Sequence, residues 1–157
     1  SLYLSSSAPD RMEMLNRELN RSKDKPVAFE NFISAVSGTY SPDTVLYLKT
    51  IESSEYFHAE QSGESRSLYL RFAENRKVSL ETEAGREFLE SSLLRLAKIN
   101  EYNTTCMLSV FSHMNSYAEE VRIPLLRILE NLRDKVHEGD APAVHRTACQ
   151  ILERVKS

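Results

Sequence analysis

The sequence has 157 residues, one domain's worth of chain and enough to bury a core without disulfide or metal staples. Its 41% hydrophobic and 27% charged residues are those of a globular chain, neither disordered nor membrane-embedded. The net charge of −3 offers no field for nucleic acid, whose binders cluster Lys and Arg.

Only 4 Gly and 5 Pro argue against a loop-rich or all-β chain, whose turns need more of both. No apolar run reaches the ~20 residues that span a bilayer, so no transmembrane segment is expected. No signal-peptide pattern opens the chain. It begins Ser1-Leu2-Tyr3 without Met, which reads as a piece of something larger with a cytoplasmic location. Cys106 and Cys149 make neither a disulfide framework nor a metal-ligand pair, and read as small hydrophobes on helix faces.

Helical periodicity runs from end to end. Ser7-Ala8-Pro9-Asp10 is a start signal, with Met12, Leu15 and Leu19 following at helical spacing. The polar run Arg21-Ser22-Lys23-Asp24-Lys25 breaks that helix and Pro26 opens the next, where Phe29, Phe32, Ile33 and Val36 form an inward stripe. Gly38 reads as a left-handed cap. Ser41-Pro42-Asp43 starts a helix carrying Val45, Leu48 and Ile51 inward and reaching toward Tyr56-Phe57. After a break over Glu60–Ser65, Leu68, Tyr69, Phe72 and Ala73 mark a short helix.

Ser79 reads as the cap of a helix burying Ala84, Phe88, Leu89, Leu93 and Leu96, with a break near Asn100-Glu101. Met107, Val110, Phe111 and Met114 follow at three-to-four spacing. A further helix buries Leu125, Ile128, Leu129, Leu132 and Val136 and stops at Gly139. Asp140 and Pro142 then start the last, with Val144, Ala148, Ile151, Leu152 and Val155 as its stripe. No residue pattern repeats every 33–47 positions, which argues against a solenoid of regular helical repeats. The fold class expected is all-α, a bundle of about seven to nine helices.

Catalytic chemistry is hard to place. His58, His113, His137 and His145 include no pair at i, i+4 around a Glu. There is no Gly-rich phosphate loop and no nucleophile elbow. Acids at Glu52/Glu55, Glu81/Glu83 and Glu119-Glu120 suit helix starts and solvated faces. Neither intrinsic catalytic residues, nor a metal, nor a cofactor is expected, and the chain reads as a module that acts by touching another protein.

One ordered set of motifs goes beyond periodicity. Phe29-Glu-Asn-Phe32-Ile33 is followed by Thr39-Tyr40-Ser41-Pro42-Asp43-Thr44, then Ser67-Leu68-Tyr69-Leu70-Arg71-Phe72, Val78-Ser79-Leu80-Glu81 and Met114-Asn115-Ser116-Tyr117. In that order they resemble the regulator of G-protein signalling (RGS) domain. The resemblance implies a single all-α domain over residues 1–157, with an RGS-like core at 29–121 and two extra C-terminal helices in 122–157. It implies a protein partner, an activated Gα subunit, and GTPase activation by holding the switch regions near their transition-state arrangement.

The contact surface implied is Tyr40, Ser41, Asp43, Thr44, Ser79, Asn115 and Glu119. Several of these depart from the family's pattern: Thr44 and Ser79 stand where Asn is common, Asn115 where Asp is common, and Glu119 near an Arg. Leu48 stands for a Trp. The alternative is a non-catalytic helical scaffold or adaptor that binds another protein or itself, with Ile123 and Leu126 lying off the main stripe. The oligomeric state is left open.

Overall fold

The computed structural model describes residues 10–156, and among them every regular element is a helix. α1 spans Arg11–Ser22, α2 Pro26–Ser37 and α3 Thr44–Ser53. α4 runs unbroken through Ser62–Ser65, a π-helical stretch at Arg66–Leu70, and Arg71–Glu74. A short α5, Arg76–Ser79, leads into α6, Glu83–Ile99. α7, Glu101–Met107, continues into a 3₁₀ stretch at Leu108–Ser116; α8 is Glu119–Lys135 and α9 Pro142–Lys156. The all-α expectation is met.

The stripes bury as their spacing demands. Leu15, Leu19, Phe29, Ile33, Val36, Leu48, Ile51, Leu68, Phe72, Phe88, Leu93, Phe111, Leu129 and Leu152 belong to one continuous apolar cluster. The helices reach it in two layers. α1, α3, α6 and α8 follow one another in one layer, and α2, α4, α7 and α9 in the other, each touching its layer neighbours. α1–α2, α6–α7 and α8–α9 close as hairpins, and α3 meets α4 where the Tyr69 hydroxyl bonds Glu52.

That arrangement is a stack of helical hairpins, each burying a face that it cannot cover alone. The helices of the first layer start at Arg11, Thr44, Glu83 and Glu119, about 33–39 residues apart, a solenoid period. The sequence argues against such a stack because no residue identity recurs. What recurs is the burial pattern, while connections and helix lengths change from one hairpin to the next.

Local readings differ from the structure for identifiable reasons. The Ser7-Ala8-Pro9 start lies outside the described residues; Asp10 precedes α1. Gly38 has φ −86° and is not left-handed; its lack of a side chain leaves room for the Arg71 guanidinium, 2.9 Å from where a Cβ would stand. Ser41-Pro42-Asp43 forms a turn before α3, which ends at Ser53 short of Tyr56. The break expected over Glu60–Ser65 contains the first turn of α4. Thr82, not Ser79, caps α6, accepting the Gly85 N–H at 3.0 Å. On α6, Gly85 is buried and Ala84 exposed. On α2, Phe32 is half-buried rather than inward.

Candidate functional site

The residues singled out in the sequence gather along one edge of the stack, on the side where α2 ends and α3, α6 and α8 begin. Asn75, between α4 and α5, fastens this edge: its Nδ2 donates to the carbonyls of Ser37 at 3.0 Å and Thr39 at 2.9 Å. Lys77 of α5 then lies 5.9 Å from the centroid of the Tyr40 ring, which is 67% exposed. Between α5 and the start of α8 opens a cleft of about 290 Å³, lined by Arg76, Leu80, Glu81, Ser116, Tyr117 and Val121. The Tyr117 hydroxyl is buried in its wall without a hydrogen-bond partner.

Three of the seven expected contact residues face inward. The Ser79 hydroxyl, fully buried, donates to the Ala73 carbonyl at 2.8 Å and ties α5 to the end of α4. Thr44 is equally buried and donates to the Thr39 carbonyl at 2.9 Å. The buried Ser41 hydroxyl accepts the Asp43 N–H at 3.1 Å, an internal turn bond. Asp43 is half-buried in an ion pair with Arg11 of α1. Tyr40, Asn115 and Glu119 are exposed, and Glu119 sits 3.6 Å from Arg122 one turn on. The edge therefore offers an aromatic ring, two cations, carboxylates and an amide for contact. It holds no nucleophile with a base beside it.

A second cluster escaped the sequence reading. The Tyr69 hydroxyl of α4 donates to Glu52 Oε2 of α3 at 2.6 Å. Arg95 of α6 pairs with the same carboxylate, lies 3.3 Å from the phenol oxygen and 5.8 Å from the ring centroid. Burial, then the Glu52 carboxylate, push the Tyr69 phenol well above the ordinary tyrosine range. Its members come from three helices and share no sequence spacing, so periodicity carries no signal for them. The cluster locks α3, α4 and α6 together.

The histidines are dispersed. His58 Nδ1 is 3.6 Å from Glu64, His145 Nδ1 is 2.9 Å from the Val136 carbonyl, and His113 and His137 are exposed. Among the described residues, no group of three or more His, Cys, Asp or Glu side chains comes together as a metal site. Cys106 and Cys149 are half-buried free thiols. Among the same residues, no helix is long and apolar enough to cross a membrane.

No curated protein matches the chain. Among solved structures, it is similar to aminopeptidase A of Legionella pneumophila, crystallised in complex with aspartic acid. The TM-score is 0.82 at 17% identity, over 98% of this chain and 18% of that one. This chain thus spans less than a fifth of that aminopeptidase's length. A family described as a domain of unknown function with ARM repeats matches residues 1–138.

These findings overturn the RGS resemblance, and with it the Gα partner, the GTPase activation and the RGS-like core at 29–121. The motifs that carried it are helix signals common to many all-α chains: Phe29 is core, Tyr40 to Thr44 form a turn and helix start, and Ser79 closes an internal hydrogen bond. With most of its length matched, the chain belongs to the DUF3458_C family of ARM-repeat helical domains.

Proposed function

We propose that this chain is a non-catalytic helical-repeat scaffold within an aminopeptidase polypeptide, acting as a single structural unit over residues 1–157. The observation that carries the reading is the match of nearly the whole chain, at a TM-score of 0.82, to one segment of Legionella aminopeptidase A. The family match over residues 1–138 points the same way. The site chemistry agrees with it: the exposed groups at the loop edge suit contact with another surface, and the Glu52–Tyr69–Arg95 cluster, formed around the buried Tyr69, ties three helices together. The partner is then the remainder of the same polypeptide, where the peptide-cleaving chemistry resides.

An antibody raised against this chain provides the test. The native polypeptide it precipitates is assayed for release of 4-nitroaniline from aminoacyl-4-nitroanilides, and its length is read by mass spectrometry. The expected result is aminopeptidase activity on a polypeptide longer than this chain, with none from the 157 residues alone. An inactive precipitate whose sequence carries no peptidase segment overturns the proposal.

A further inference from the structure

A stack of helical hairpins has two free ends, and a terminal hairpin keeps a polar outer face unless something covers it. The two ends of this stack differ. α9 exposes Arg146, Gln150, Glu153 and Arg154, all polar or charged. α2, in the first hairpin, carries Glu30 as its one charge, and that residue is half-buried. Its solvent-facing residues are Pro26, Val27, Ala28, Asn31 and Ala35, all uncharged, with Val27 72% exposed.

Ala28 and the half-buried Phe32 line a shallow groove of about 140 Å³ with Glu18, Arg21, Ser22 and Lys25. Among the described residues, only α1, α2 and their connection contribute, so the groove lies on the side of the first hairpin away from α3 and α4. Glu18 and Arg21 pair across 3.3 Å at its edge. An uncharged centre with a charged rim is how protein interfaces are built. The inward anchors Phe29, Ile33 and Val36 hold α2 rigidly enough to present that face.

We infer that the free face of α2, built from Val27, Ala28, Phe32 and Ala35, is where this unit docks on the rest of its own polypeptide, against an uncharged, aliphatic-rich surface. The inference rests on the proposed function and adds the surface to it. Two features favour this occupant: the polar exterior of the opposite end, and the more than four fifths of the similar aminopeptidase that lies outside the match. The stack continues on the side that is not capped.

The test is maleimide labelling of single cysteines placed by Ala28→Cys, Ala35→Cys and, as the control on the polar face, Gln150→Cys. Cys106 and Cys149 are first replaced by Ala. In the complete polypeptide, the α2 positions should react about tenfold or more slowly than position 150, while in the 157-residue chain all three react alike. Equal labelling in the complete polypeptide overturns the inference. So does protection in the isolated chain with a sedimentation mass of two copies, which makes a second copy the occupant. Equal labelling in a polypeptide with aminopeptidase activity sinks this inference alone, whereas an inactive polypeptide without a peptidase segment sinks the reading beneath it.

Discussion

Gly85 sits in the first turn of α6, where a Cβ would fall inside the carbonyl oxygen of Val78 at the end of α5. Alanine in a helix is ordinarily favoured over glycine by about 1 kcal/mol. Here the backbone collision wins, because the carbonyl cannot swing away as a flexible side chain would. Gly85→Ala should lower stability by ~1–3 kcal/mol, read as a drop in the urea midpoint, and an unchanged midpoint would refute the contact. Tyr69 gives a prediction in pH. Its phenol keeps its proton in the fold to a higher pH than in the unfolded chain, so its contribution is complete below about 10 and is lost as pH rises above that. Tyr69→Phe should therefore show a shallower loss of melting temperature between about pH 10 and 12 than the parent chain. The sequence marks Tyr69 only as part of a helix stripe and motif, and does not mark Gly85 at all. Gly85 is an ordinary helix glycine until α5 is folded against it, and Ser79 looked like an exposed contact until α4 and α5 closed over its hydroxyl.

At the level of elements, the ends of the helices are held by groups that a linear reading only half identifies. Thr82 donates its hydroxyl to the Val78 carbonyl at 2.6 Å while accepting the Gly85 N–H, so one side chain joins α5 to α6. Thr82→Ala should cost ~0.5–2 kcal/mol of stability, with Thr82→Ser retaining most of it; equal losses in both variants would show that the methyl group, not the hydroxyl, matters. The start of α9 is satisfied from another helix: Glu101 Oε2 of α7 accepts the Ala143 N–H at 2.9 Å. Pro142 and Asp140 announce that helix in the sequence, but its acceptor comes from about 40 residues earlier. Six helices, α1, α2, α3, α6, α8 and α9, are legible because their apolar stripes repeat at three-to-four spacing. The π-helical stretch in α4 and the 3₁₀ stretch before α8 are not, because packing rather than local propensity imposes them.

Across the whole molecule, each hairpin touches its neighbours and little else, so stability should be distributed along the stack. Leu152 on α9, in the last hairpin, is buried, and Leu152→Ala should cost about 2–5 kcal/mol. Hydrogen exchange should then quicken in α8 and α9 while α1 and α2 keep their protection. Uniform quickening across all helices would instead mean one cooperative core. The sequence by itself determined the helical class, the buried stripes and the starts of α2 and α9, since these depend on residue period and on residues within a few positions of one another. Only the tertiary structure decided that the helices stack as hairpins in two layers, that Glu52, Tyr69 and Arg95 converge, and that α2 keeps an uncharged face outward. Those features arise from contacts between residues tens of positions apart. Their energy depends on which faces meet, and no local pattern records that.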